Sequence, residues 1–184
     1  MDTLEFIRIT DINAAAQATE LGQEYTDWLV AAYAEEHDHE VPSHVVNHIP
    51  HHTEDGEFIL DDRGRLYLGI ADGQPAAIGL LKPVTETLCE GKRLYVRPEF
   101  RGRGFGRQML ERLVSDAREF GYTQMRAEVS LLMREGIALY DSYENVDELD
   151  AFDGHEGEDW GTTQHQKFLT YDIPAPGNSF IRKS

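Results

Sequence analysis

The stretch from Lys92 to Leu110 admits few folds. Lys92-Arg-Leu-Tyr-Val-Arg97 reads as the end of a strand that begins near Thr87, and Pro98 terminates it. A glycine-rich turn follows, Glu99-Phe-Arg-Gly-Arg-Gly-Phe-Gly106. Phe105, Met109, Leu110, Leu113, Val114, Ala117 and Phe120 then fall on one face of a helix, with Gly121 as its stop. Glycines let successive backbone N–H groups point into one concavity. The start of a helix adds partial positive charge at the same place. Arg101, Arg103 and Arg107 bring guanidinium groups suited to phosphate oxygens. A strand, a glycine turn and a helix so arranged form a cradle for a diphosphate.

Two familiar phosphate loops are excluded. A P-loop needs Lys and then Ser or Thr after its second glycine, whereas Gly106 is followed by Arg107 and Gln108. A dinucleotide fingerprint read from Gly102 and Gly104 requires a third glycine where Arg107 stands. Charge supports an anion here and nowhere else. The 184-residue chain has 34 acidic and 17 basic residues, a net charge of −17. Six of the basic residues, Lys92, Arg93, Arg97, Arg101, Arg103 and Arg107, lie in this one stretch, opposed only by Glu99. A chain this acidic is repelled by nucleic acid and by anionic membranes, and it has no broad basic face. Only four of its basic residues are lysines, a composition that suits a salt-rich cytoplasm; an ordinary acidic protein is the plainer alternative. No apolar run of about 18 residues offers a membrane-spanning helix. Met1-Asp-Thr-Leu-Glu5 lacks the basic and apolar segments of a secretory signal, so a cytoplasmic location is expected. The lone Cys89 rules out an intrachain disulfide and argues against a cysteine zinc site.

The remaining elements read as follows. Leu4–Thr10 is a first strand, and Thr10 or Asp11 caps a helix reaching about Glu36, with Ala18, Leu21, Tyr25, Trp28 and Leu29 on its apolar face. Residues 37–57 are irregular. Arg65–Ala71 and Ala76–Leu81 form a hairpin around Asp72-Gly73. Tyr122–Val129 is a strand, Arg134 to about Tyr143 a short helix, and Gln164–Ile173 a last strand. Residues 141–160 carry nine acids and no Lys or Arg, and read as a solvated loop or weak element. At roughly 150 residues per domain, one domain over 1–173 with a tail at 174–184 is expected.

Arg101-x-x-Gly104-x-Gly106, set in the longer string Arg93-Leu-Tyr-Val-Arg-Pro-Glu-Phe-Arg-Gly-Arg-Gly-Phe-Gly106, resembles the acetyl-CoA motif of the GCN5-related N-acetyltransferase (GNAT) family. The resemblance extends to Gly136-Ile-Ala-Leu-Tyr140 and to Lys167-Phe-Leu-Thr-Tyr-Asp-Ile173, and in element order it covers roughly 4–173. It implies an α/β (α+β) acyl-CoA N-acyltransferase fold, with a mixed, mostly antiparallel sheet and flanking helices. The activity implied is acetyl transfer from acetyl-CoA to an amine of a small molecule or protein, by direct attack in a ternary complex. Backbone amides of Arg101, Gly102, Arg103 and Gly104, then of Phe105, Gly106 and Arg107, would hold the CoA pyrophosphate. Leu94, Tyr95 and Val96 would pair with the pantetheine arm, and an N–H there would polarise the thioester carbonyl.

By the same resemblance Glu90 is the general base, with Gly91 permitting the strand bulge of the family; a water chain is the other candidate base. Tyr140 is the acid that protonates the leaving thiolate, and Tyr143 is the spare. Two positions depart from the family pattern: Met133 stands where an Asn often contacts CoA, and Glu144-Asn145 replaces a Gly-Phe. Six of the eight histidines, His37, His39, His44, His48, His51 and His52, crowd one segment; within it Pro42 and Pro50 flank the i, i+4 pair His44 and His48 and limit any helix there. They read as a solvated loop beside the acceptor site, and no metal is expected. The acids at 141–160 suit a cationic acceptor, although surface adaptation explains them equally. A homodimer is compatible with this reading, and a non-catalytic CoA-binding regulator on the same fold is the alternative function.

Overall fold

Period-two alternation in the 65–83 hairpin divides the molecule into two layers, one on either face of a sheet. The computed structural model describes residues 2–10, 15–42, 62–174 and 183. Its elements are β1 (Glu5–Arg8), α1 (Ala16–His37), β2 (Arg65–Ala71), β3 (Gln74–Pro83), β4 (Leu88–Val96), α2 (Phe105–Glu119), β5 (Gln124–Ser130), α3 (Arg134–Asp141), β6 (Val146–Leu149), α4 (Glu156–Trp160) and β7 (Gln166–Asp172). Among the described residues the strands form one seven-stranded sheet in the order β1-β2-β3-β4-β5-β7-β6. Every pair is antiparallel except β4 with β5. The expected mixed, mostly antiparallel sheet with flanking helices is therefore the fold.

Leu66, Leu68, Ile78 and Leu80 face α1, where they enclose Ala18 and Leu21. Tyr67, Ala77 and Leu81 point the other way and pack with Met109, Leu113 and Ala117 of α2. A Cβ on Gly79 would come within 2.6 Å of Met109, so the absence of a side chain there lets α2 lie close on the sheet. The helical face predicted from Phe105 to Ala117 is the buried face. The same α2 carries Asp116, which is 1% exposed. Tyr67 donates its hydroxyl to Asp116 Oδ2 (2.6 Å), and Arg112 Nη2 lies 2.8 Å from Oδ1. Asp116→Ala leaves the Tyr67 hydroxyl and Arg65 without this carboxylate. Because Arg112 keeps contact with water, we expect a loss of about 2–3 kcal/mol. Denaturant unfolding checks this; an unchanged midpoint would show that the network carries no stability.

Two parts of the chain differ from the sequence reading. Residues 141–160 are not simply a loop: β6 pairs with β7 from Val146↔Tyr171 to Leu149↔Phe168, and α4 follows. β6 is an edge strand rich in acids, which hides its period while discouraging edge-to-edge pairing. The first helix begins at Ala16, with Ala15 at its N-cap and no side-chain cap; residues 11–14, including the expected cap Asp11, lie outside the described residues. So do His44, His48, His51 and His52, and most of the 174–184 tail.

Candidate active site

β4 and β5 hydrogen-bond only from Leu88↔Gln124 to Gly91↔Ala127. Beyond this point they separate, because β4 bulges. Its pairing with β3 passes from Leu80↔Lys92 to Ile78↔Tyr95, so β4 contributes one residue more than β3. The residue in the left-handed region is Arg93 (φ 55°), not Gly91, which corrects the placement of the bulge. That conformation costs a non-glycine residue about 1–2 kcal/mol. The Arg93 guanidinium is held at both ends, with Nη2–Oε1 at 3.0 Å and Nη1–Oε2 at 3.3 Å from Glu156 of α4. This tertiary pair offsets the local strain.

At the bulge the strand passes from one cavity to another. Leu94, Tyr95 and Val96 line a large cavity of about 740 Å3, while Lys92 and Arg93, preceded by Glu90 and Gly91, line a small one of about 40 Å3. The whole turn from Arg101 to Arg107 lines the large cavity as well. All ten residues expected to bind the cofactor thus meet in one place. Gly102 (φ 76°) and Gly104 (φ 82°) shape the turn, and Gly104 is the N-cap of α2 with no capping side chain. The N–H groups of Phe105, Gly106 and Arg107 in the first turn have no carbonyl of the preceding turn to bond. Arg101 Nε donates to the Val96 carbonyl (3.1 Å), tying the turn to β4. Arg107 Nε is buried without a hydrogen-bond partner among the described residues. Trp28, Met133 and Leu139 complete the apolar wall, and no sequence signal had singled out Trp28 for it.

The other cations of the stretch are spent elsewhere. Arg97 turns to α1, where Nε lies 2.9 Å from Glu24 Oε2 and Nη2 lies 3.2 Å from Glu20 Oε1. Arg103 pairs with Asp2 (2.7 Å) and Asp72 (2.6 Å).

The small cavity is built from opposed charges. Glu90 is 1% exposed; Oε2 receives Arg126 Nε (3.0 Å) and Nη2 (2.9 Å), and Oε1 lies 3.2 Å from Lys92 Nζ. Lys92 also meets Glu156 Oε1 at 2.9 Å. Burial works against the Lys92 charge, but Glu156 and Glu90 outweigh it and hold its pKa above the ordinary value. Glu128 of β5 accepts hydrogen bonds from the backbone N–H groups of Glu156 (2.8 Å) and Gly157 (2.6 Å), with His155 Nδ1 3.5 Å away. Burial, reinforced by the Glu156 charge, raises the Glu128 pKa against the pull of those N–H bonds and of Lys92. Sequence reasoning missed this carboxylate. The available signal was the alternation of two charges, Arg126 and Glu128, inside the apolar strand Met125–Val129.

Two tyrosines are candidate proton donors. Tyr140 is 3% exposed, 6.2 Å ring to ring from Tyr171, and lines neither cavity; its neighbour Leu139 lines the large one. Burial, then Tyr143, raises its pKa. Tyr25 of α1 lines the small cavity, and its hydroxyl reaches Sδ of Met133 (3.5 Å), which lines the large one. Burial and then Glu156 push its phenol up, with Arg93 opposing. The described histidines near this end pack together. His37 stacks on His165 at 3.9 Å, and His39 Nε2 lies 2.8 Å from the Trp160 carbonyl oxygen. Among the described residues no three His, Cys, Asp or Glu side chains gather as metal ligands.

A mixed seven-stranded sheet that splays beside a glycine turn and a helix N-terminus defines the acyl-CoA N-acyltransferase class of fold. The sequence agrees: residues 22–143 match the acetyltransferase (GNAT) family, and the chain belongs to that family. An uncharacterized N-acetyltransferase of Dictyostelium discoideum is 39% identical over 56 residues, which is 30% of this chain and 26% of that protein. The uncharacterized N-acetyltransferase YjgM of Escherichia coli is 28% identical over 89 residues, 46% of this chain and 53% of that one. The matches thus span about a quarter and about half of the length of these relatives. A GNAT-family acetyltransferase from Staphylococcus aureus superposes with a TM-score of 0.68 at 10% identity, covering 94% of this chain and 100% of that one. The PaiA N-acetyltransferase of Thermoplasma acidophilum, solved with coenzyme A, superposes with a TM-score of 0.64 at 15% identity, covering 92% and 99%. These likenesses are of fold.

Proposed function

We propose that the chain is an acetyl-CoA-dependent N-acetyltransferase acting on an amine. The observation that carries this reading is β4 itself, which leads from a diphosphate cradle to a charged cavity across one bulge. The residues of the large cavity suit CoA: unpaired N–H groups at the start of α2 and the orphaned Arg107 Nε for the pyrophosphate, and the unpaired edge of β4 at Leu94–Val96 for an amide-bearing arm. Bound acetyl-CoA supplies an acetyl group activated as a thioester, from which an attacking amine displaces the CoA thiolate. The chain's residues handle two protons. An amine reaches the site as an ammonium ion and must lose one. Glu128, with its raised pKa and its place in the small cavity, receives it. Glu90, the candidate from the motif, is engaged on both oxygens by Arg126 and Lys92, and its part is to fix those cations. Tyr140 donates to the departing thiolate, as the family motif implies. Tyr25 is a second donor candidate, because it lines the small cavity and touches Met133 at the edge of the large one.

With this reading we propose a cytoplasmic location and a single domain over 1–173. Among the described residues no helix is long and apolar enough to cross a membrane. The test is CoA release from acetyl-CoA with and without a panel of amines. Amine-dependent release is expected. Tight acetyl-CoA binding without release from any amine would leave a non-catalytic CoA binder. With a competent amine, Tyr140→Phe should lower kcat by about 10²–10⁴-fold at all pH values, with acetyl-CoA affinity unchanged. If Tyr140→Phe turns over normally and Tyr25→Phe shows the loss, the donor is Tyr25.

A further inference from the structure

The Lys92–Arg93 pair lies at the boundary of the two cavities and is closed by a carboxylate. The two side chains are 13% and 9% exposed, and Glu156 of α4 bridges them at 2.9 Å to Lys92 Nζ and 3.0 Å to Arg93 Nη2. Glu156 reaches in from a separate five-residue helix and is itself 31% exposed. Lys92 also has Glu90, but the two-pronged contact of Arg93 is made with Glu156 alone among the described ion pairs. A planar guanidinium of this kind is shaped for a carboxylate. The cavity that Glu156 borders holds only about 40 Å3, too little for an acceptor unless a side chain leaves it.

We infer that the acceptor is an amine that bears a carboxylate, as an amino acid does, and that its carboxylate replaces that of Glu156 between Lys92 and Arg93. The exchange keeps both buried cations paired, so it does not incur the cost of leaving a buried charge alone. It also empties the space that the Glu156 side chain fills. The amine then sits beside Glu128, whose oxygens already face the first turn of α4. Arg93 immediately precedes Leu94, so a carboxylate held there fixes the acceptor next to the strand that lines the donor cavity. The acids at 141–160 therefore do not make this a cation-selective site: the one acid of that segment at the cavity, Glu156, is neutralised by Lys92 and Arg93.

This inference rests on the N-acetyltransferase reading, and the experiment separates the two. Paired acceptors that differ by one carboxylate are compared: L-phenylalanine with phenethylamine, and L-lysine with cadaverine. The carboxylated member of each pair should have a kcat/KM at least about tenfold higher, and Arg93→Gln should erase that preference. Glu156→Gln removes the internal competitor, so KM for the carboxylated acceptor should fall. Calorimetry in the presence of CoA should show L-phenylalanine binding more tightly than phenethylamine, which is a readout independent of turnover. Equal or better use of the carboxylate-free amines, or a rise in KM on Glu156→Gln, would overturn the inference while leaving acetyl transfer standing. Acetyl-CoA binding with no turnover of any acceptor would overturn both.

Discussion

Gly104→Glu should lower acetyl-CoA affinity in calorimetry by about 10²–10³-fold. Two effects act together. Gly104 has φ 82°, and although an added Cβ would meet nothing within 4 Å, the left-handed backbone itself disfavours any side chain. More important is the position. Gly104 is the N-cap of α2, directly before the N–H groups of Phe105, Gly106 and Arg107. A carboxylate there both competes for those donors and repels a diphosphate. Gly104→Ala separates the contributions. It carries the backbone strain of about 1–2 kcal/mol without the charge, so it should destabilise the fold while keeping affinity within about tenfold. A folded Gly104→Glu variant with unchanged affinity would place the donor elsewhere.

Glu128→Gln should remove the acidic limb of the pH–rate profile and lower turnover near neutrality by about 10²–10⁴-fold. The sign follows from the direction of its pKa. Burial and Glu156 raise it, so Glu128 carries a proton at low pH and cannot accept another. Activity then climbs as pH rises through that raised value. In Glu128→Gln only solvent can take the proton, and turnover recovers in part at high pH, where free amine is abundant. Glu90→Gln should behave differently. It strips a charge from a carboxylate that binds Arg126 and Lys92, so it lowers the melting temperature and leaves the acidic limb in place. If Glu90→Gln instead erases the limb while Glu128→Gln keeps it, the motif-based assignment of the base is the correct one.

The half of the proposed site formed by the glycine turn was legible in the sequence because it is local. Its strand end, positive-φ glycines and helix start lie within sixteen residues of chain, and each is dictated by backbone sterics and the helix dipole rather than by distant partners. The fold class followed from the resemblance to the GNAT family that the same segment carries. Legibility ended where partners are far apart in sequence. The six cations from Lys92 to Arg107 read as one patch, yet strand alternation and the bulge send Arg97 to α1, Arg103 to Asp72, and Lys92 and Arg93 to Glu156. The bulge was misplaced onto Gly91, since backbone propensity alone favours glycine, whereas a salt bridge to a residue 63 positions away holds Arg93 in the strained conformation. The place of Glu128 and Tyr25 on the small cavity was not legible for the same reason. A carboxylate's basicity and a phenol's position depend on what the sheet order β4-β5-β7 and the packing of α1 and α4 bring beside them. Sequence determined the strand, glycine turn and helix start that line the large cavity, because these follow from local backbone geometry; tertiary structure decided which charges meet in the small one, because Coulomb energy and desolvation depend on distances through space.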